Sequence, residues 1–258
     1  MDCAKVSEQI TRWLSYQIES TKQKGFVVGV SGGIDSALVS TLCAISGHPT
    51  LAVSIPIHQG RCEHKRGEKH LEWLTERFPN VIVRTADLTS LLDSYREYIH
   101  SVDLRTENDL VAANLRSRIR MMTLYAFANA YGFLVVGTGN KVEDFGVGFC
   151  TKFGDNGIDI SPIGDLMKSE VRELAAYLDV EEEIVRAVPT DGLWDDGRSD
   201  EDQIGASYDE LEWAMKWLSF DSPEETTSRQ RDVLSIYLKR HNANAHKMQM
   251  PPVCRVRE

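Results

Sequence analysis

Six consecutive residues, Ser31-Gly32-Gly33-Ile34-Asp35-Ser36, hold the densest chemistry in this 258-residue chain. The apolar run Phe26-Val27-Val28-Gly29-Val30 precedes them, and residues 36–45 follow with a helical pattern. A strand that feeds a glycine turn and then a helix turns backbone amides and a positive dipole end toward an anion. Two serines add short hydroxyl donors, so this spacing predicts a phosphate cradle. The loop lacks the Gly-Lys-Ser/Thr ending of the ordinary nucleotide-binding loop, and Asp35 stands there instead. A carboxylate beside phosphates repels them unless a cation intervenes, so Asp35 is read as a magnesium ligand. The plain alternative is a glycine turn with Asp35 capping the next helix.

Other candidates gather after Gly137. Residues 137–164 carry glycines at 139, 146, 148, 154 and 157, too many for a regular element, which predicts a functional loop. Glu143, Lys152, Asp155 and Asp159 lie in it. The carboxylates suit metal or ligand contact, with turn capping by the aspartates as the structural alternative. Lys168 opens the next helix, where a cation opposes the dipole, a local cost that points to function. In the helix expected over residues 108–130, Leu115, Ile119, Met122 and Ala126 form an apolar stripe at 4, 3, 4 spacing, with Arg118 on its flank. That places Arg118 against the core, suited to a carboxylate or phosphate, and leaves Arg116 and Arg120 in solvent. The alternative is a surface arginine lying along apolar neighbours.

The elements that position these residues alternate. Residues 6–24 read as a helix, 26–30 and 133–136 as buried strands, 51–55 and 81–85 as further strands, and 62–77, 168–178, 208–218 and 230–240 as further helices; 189–199 is irregular and acidic. Strand–helix alternation with right-handed crossovers predicts an open, mainly parallel α/β sheet with helices on both faces.

Composition narrows the function classes. The chain has 29 basic and 39 acidic residues, net −10, the wrong sign for blanketing a phosphate backbone. No nucleic-acid partner is expected. Five cysteines without a Cys-x-x-Cys pair fit a reducing compartment. No secretion signal is visible, and no run approaches the roughly 18 apolar residues of a membrane span. The expectation is a cytoplasmic protein with no membrane partner.

The Ser-Gly-Gly-x-Asp-Ser loop after a strand resembles that of the N-type ATP pyrophosphatases. The motifs Gly137-Thr138-Gly139-Asn140-Lys141-Val142-Glu143, Thr151-Lys152-Phe153-Gly154-Asp155 and Asp159-Ile160-Ser161-Pro162, then Lys168, resemble in order and spacing the signature of the NAD synthetase family. Pro189-Thr190, residues 205–210 and His246-Lys247 look like that family's C-terminal landmarks. The resemblance implies an adenine nucleotide alpha hydrolase-like sheet of Rossmann-like topology. It also implies ATP-dependent amidation of nicotinic acid adenine dinucleotide (deamido-NAD) to NAD. Gly29, Val30, Ser31, Gly32, Gly33, Ile34, Asp35 and Ser36 would hold the ATP phosphates, with Thr138, Lys168 and Thr190 as further ATP contacts. Asp35 and Glu143 would bind magnesium, with Asp155 serving a second metal. Arg118, Lys152, Asp159, His246 and Lys247 would contact deamido-NAD. Asp35 and Lys168 would be the catalytic pair.

Glutamine-using relatives carry a large amidase domain before the synthetase region. In this chain the phosphate loop begins by residue 29. A single synthetase domain over residues 1–258, no N-terminal glutaminase domain and free ammonia are therefore expected. Neither Cys62 nor Cys150 lies in a recognisable nucleophile elbow with a paired histidine. Family members pair through helices, which implies a homodimer. The runner-up is another adenylating enzyme, such as a transfer RNA modifying ligase or thiolase, and the net charge and absent Cys-x-x-Cys weigh against it. A nucleotide-sensing module without turnover is disfavoured because Asp35, Glu143 and Lys168 are all present.

Overall fold

Four short apolar runs form one parallel sheet, and the remaining elements cover its two faces. The structure is a computed structural model that describes residues 1–101, 109–190, 199–219 and 225–256. In chain order the elements are α1 (Cys3–Thr21), β1 (Phe26–Gly29), α2 (Ile34–Ile45), β2 (Thr50–Ser54), α3 (Arg61–Arg77), β3 (Val81–Thr85), α4 (Thr89–Ser101), α5 (Asp109–Tyr131) and β4 (Leu134–Val136). A π-helical segment (Lys141–Val147) precedes α6 (Lys168–Tyr177), α7 (Glu182–Val185), α8 (Asp200–Ile204), α9 (Tyr208–Ser219), α10 (Ser228–Asn244) and a 3₁₀ turn (Ala245–Lys247). The expected strands and long helices lie within a few residues of these bounds. Helices α4, α7 and α8 lie outside the expected elements; α7 and α8 have only four and five residues, too short to show a period.

Strand order is β3-β2-β1-β4, all parallel. Alternation along each strand divides the core. Phe26 and Val28, Ala52, and Leu134 and Val136 face a cluster built with α1, α2, α3 and α6, whereas Val27, Leu51, Val53 and Val135 face one built with α4 and α5. Helices thus cover both faces. The chain leaves β1 toward β2 on one side and later returns to β4 on the other, so the strand order reverses between β1 and β4. A crevice at the carboxyl ends of such a pair is where open α/β sheets bind ligands. Residues 29–36 and 137–140 sit there.

Two expectations are corrected. Residues 137–164 are not wholly irregular, because the π-helical segment occupies part of them. Asn140 caps it by accepting from the amides of Val142 and Glu143 at 3.1 Å each, and Val142 and Val147 are buried against α8, α9 and α10. In α5 the expected stripe is not the buried one: Ile119 is buried, but Met122 is 55% exposed. This helix touches the sheet through Ile119 and Ala128 and the loop around Asp155 through Ser117, and two partners at different angles blur any single stripe. Consequently Arg116 is buried at 7% exposure, Arg120 is half-buried with Nε donating to Ile55 O at 3.1 Å, and Arg118 is exposed. This is the reverse of what the stripe predicts. Among the described residues no helix is long and apolar enough to cross a membrane.

Candidate active site

The phosphate loop is a backbone device. Ser36 Oγ accepts from Ser31 N at 3.1 Å and donates to Gly33 O at 2.9 Å, while Ser31 Oγ accepts from Gly33 N at 3.2 Å. The Ser36 hydroxyl is thus spent within the loop, and Ser31 Oγ lies 3.1 Å from it. The first bond of α2 that lands on the loop runs from Ala37 N to Gly33 O, so the amides of Ile34, Asp35 and Ser36 form the open end of the helix. Gly32 has φ +87°, and a Cβ there would lie 2.2 Å from Glu63 O. Only glycine allows that turn beneath α3.

Asp35, two residues into the helical start, is half-buried and faces a cluster drawn from four stretches of chain. Lys168 Nζ donates to Asp35 Oδ2 at 2.5 Å and to Glu143 Oε1 at 2.9 Å. Lys168 itself is 2% exposed. Asn140 Nδ2 donates to Asp35 Oδ1 at 2.9 Å, and the Tyr208 hydroxyl donates to Glu143 Oε1 at 2.6 Å, with Asp200 Oδ2 at 3.1 Å. Burial raises the Asp35 carboxyl above its usual range despite Lys168 and Asn140. Against the opposing pull of burial, Lys168 and the Tyr208 hydroxyl hold Glu143 below its own. The two carboxylates keep Lys168 protonated even though burial disfavours its charge. One ammonium shared by two carboxylates leaves a negative surplus, which prepares the spot for additional positive charge.

These groups line a cleft of about 870 Å³, in the range of small-molecule sites. Gly29 to Ser36 apart from Gly32, together with Thr138, Glu143, Asp155, Lys168 and Thr190, line it, as do Arg118, Lys152, His246 and Lys247. Asp159 does not line it. Its carboxylate accepts from the Tyr125 hydroxyl at 3.0 Å and from Val135 N at 2.8 Å, a link from α5 to β4. Asp155 accepts from Ser117 Oγ at 2.5 Å and from Thr151 N at 3.0 Å, anchoring the loop on α5 with its other side open to the cleft. Arg118 Nη2 reaches Lys152 O at 3.4 Å; Lys152 Nζ reaches His246 O at 2.5 Å; Lys247 Nζ reaches Cys150 O at 2.9 Å and Gly148 O at 3.1 Å. Burial pushes the Cys150 thiol up to about 12, so it is not a thiolate nucleophile at neutral pH.

Asn140, Asp144 and Tyr208 belong to the site or its support, yet residue type alone does not single them out. Asn140-x-x-Glu143 has the spacing of a capped helical start, a signal that could have placed Asn140. Burial, followed by repulsion from Glu143, raises the Asp144 carboxyl well above its usual range. The contact of Tyr208 with Glu143 spans 65 residues and has no local signature.

An anion loop at the switch point of a parallel sheet, flanked by a carboxylate–lysine cluster, defines a nucleotide-binding α/β enzyme. The NAD synthase family pattern matches residues 6–251, and the chain belongs to that family. The NH(3)-dependent NAD(+) synthetase of Methanococcoides burtonii is 35% identical over 260 residues, covering 98% of this chain and 95% of its own length. That of Archaeoglobus fulgidus is 35% identical over 260 residues, covering 100% and 99%. Among solved structures, NMN synthetase from Francisella tularensis is similar with TM-score 0.85 and 30% identity, covering 98% of this chain and 99% of its own. The NH3-dependent NAD synthetase from Campylobacter jejuni in complex with the nitrate ion has TM-score 0.79 and 26% identity, covering 99% and 100%.

Proposed function

We propose that the protein amidates deamido-NAD to NAD, using ATP and ammonia and releasing AMP and pyrophosphate. The observation that carries this reading is the junction of Asp35, Glu143 and Lys168 beside the open helical start of residues 33–36. Family membership and the 35% identical relatives support the reaction.

A nicotinate carboxylate resists ammonia because it is negative and has no leaving group. Attack of that carboxylate on the α-phosphorus of ATP expels pyrophosphate and leaves an acyl adenylate. Ammonia then adds to the adenylate carbonyl, AMP departs, and the amide remains. The loop amides orient the phosphates, and Lys168 keeps one positive charge where negative charge accumulates. Asn140 and Tyr208 fix the two carboxylates in place.

Magnesium fits this donor set. Asp35 and Glu143 are hard oxygen donors close enough to share a single ammonium, and magnesium commonly takes one or two carboxylates and fills its shell from phosphates and water. When bound, it would neutralise charge on the departing pyrophosphate. Among the described residues no three of His, Cys, Asp and Glu converge to hold a metal, which agrees with a shell that substrate completes. Asp155, tied to Ser117 and Thr151, is a second-metal candidate only on the family resemblance.

Thr138 and Thr190 are assigned to ATP, and Arg118, Lys152, His246 and Lys247 to deamido-NAD, in agreement with their place on the cleft wall. Asp159 is left out of this assignment, since its carboxylate lies outside the cleft's lining and is taken by the Tyr125 hydroxyl and Val135 N. A homodimer is proposed on the family resemblance alone. Free ammonia is the nitrogen source in this reading, and one synthetase domain spans residues 1–258.

Pyrophosphate and NAD measured with ATP, magnesium, deamido-NAD and ammonium test the proposal, with glutamine and with the deamidated mononucleotide as alternative substrates. Equimolar NAD and pyrophosphate with ammonium are expected. Turnover confined to the mononucleotide would move the protein to the activity named for the Francisella tularensis neighbour, and turnover confined to glutamine would contradict the ammonia assignment.

A further inference from the structure

The phosphate loop contains no lysine, and Lys168 is engaged by two carboxylates. Beside the magnesium assigned to Asp35 and Glu143, neither the loop nor Lys168 offers a free cationic side chain for the far end of a triphosphate. The helix α3 lies directly on the loop. Gly67 N would lie 2.9 Å from a Cβ on Gly32, and Gln59 Nε2 donates to Ser31 O at 2.8 Å. On this contact Arg66 Nε donates to Gly32 O at 3.3 Å, and Arg66 lines the cleft with Gly33 and Asp35.

A guanidinium has five N–H donors in a rigid fork. One of them holds the loop carbonyl, and among the described residues the two terminal nitrogens of Arg66 make no hydrogen bond or ion pair. Glu183, an acidic group within electrostatic reach of Arg66, is bonded to Lys69 Nζ at 2.7 Å. A planar fork pinned at one edge and open at the other suits bidentate contact with phosphate oxygens.

We propose that Arg66 binds the β- and γ-phosphates of ATP, and so the pyrophosphate product, from the α3 side. It would supply from outside the loop the positive charge that other nucleotide-binding loops carry within. The proposal rests on the ATP-dependent reading above and deepens it. Arg66 takes no part in forming or breaking a bond; it grips the leaving group.

The test uses the full chain with inorganic pyrophosphate and AMP as separate inhibitors. Charge-assisted contacts of this kind correspond to about ten- to hundredfold in affinity. In Arg66→Ala, the KM for ATP and the inhibition constant for pyrophosphate should rise by that factor, while those for deamido-NAD and AMP stay within about twofold. Arg66→Gln keeps a donor for Gly32 O and separates loop support from phosphate contact. It should show the same selective loss with unchanged melting temperature, and Arg66→Lys should fall between. Equal shifts for pyrophosphate and AMP, recovery in Arg66→Gln, or no shift would overturn the assignment. An unmodified protein with no ATP-dependent turnover would instead defeat the reading beneath it.

Discussion

The two ends of the cleft are built on opposite plans. At the phosphate end a contiguous loop offers backbone amides, and the charged side chains bind one another, Lys168 to Asp35 and Glu143. At the other end, assigned to deamido-NAD, the cations are scattered over α5, the loop after β4 and the C-terminal turn, and they bind backbone carbonyls. Lys152 takes His246 O, and Lys247 takes Cys150 O and Gly148 O. The first plan concentrates charge for chemistry, whereas the second uses charge to fasten three segments of chain. Damage at the first end should therefore appear in the reaction step, and damage at the second in substrate affinity and local order.

The sharpest break is Lys168→Met. It leaves two half-buried carboxylates without their shared cation, which costs about 3–5 kcal/mol by the usual penalty for removing one partner of a buried pair. A lower melting temperature is expected, with kcat down by about a hundredfold or more from the lost electrostatic stabilisation. Magnesium should restore part of the stability, because it supplies charge to the same carboxylates.

Acid should loosen the phosphate end through His70. This residue is fully buried behind α2, with Nε2 2.9 Å from Ser40 Oγ, and burial lowers its pKa from 6.5 to about 4. The folded state thus refuses a proton that the unfolded chain accepts. Stability is complete above about pH 6.5 and declines as pH falls toward about 4, by up to about 3 kcal/mol. Urea melts across that window measure the slope, and His70→Leu should flatten it.

Smaller effects separate the plans further. Tyr208→Phe removes the hydroxyl from Glu143 and should cost about 1–3 kcal/mol, read as a fall in kcat with the KM for deamido-NAD nearly unchanged. Lys247→Met removes bonds to two loop carbonyls, about 1 kcal/mol each. It should raise the KM for deamido-NAD more than it lowers kcat. The opposite partition in these two variants would erase the distinction between the ends.

How much was legible in the sequence follows the same division. The strand, glycine turn and helix around residues 31–36 are legible because that device is local. Strands β1, β2 and β4 are legible because burial on both faces makes them nearly continuous apolar runs, whereas the edge strand β3 shows only as a β-branched stretch with Val81 alone buried. Arg118 and Arg116 were exchanged because α5 packs against two partners, and periodicity reports only one buried direction. Asn140 and Tyr208 escaped because their partners, Asp35 and Glu143, lie 105 and 65 residues away. That Ser36 Oγ donates to Gly33 O is not legible, because composition does not show that a turn can satisfy its own groups.

A single-turnover experiment tests the central assignment most directly. With ATP, magnesium and deamido-NAD but no ammonium, the protein should release a burst of about one pyrophosphate per site as the adenylate forms, and Asp35→Ala should release none on the same timescale. An undiminished burst from Asp35→Ala would contradict the assignment of the loop and its carboxylate to the triphosphate.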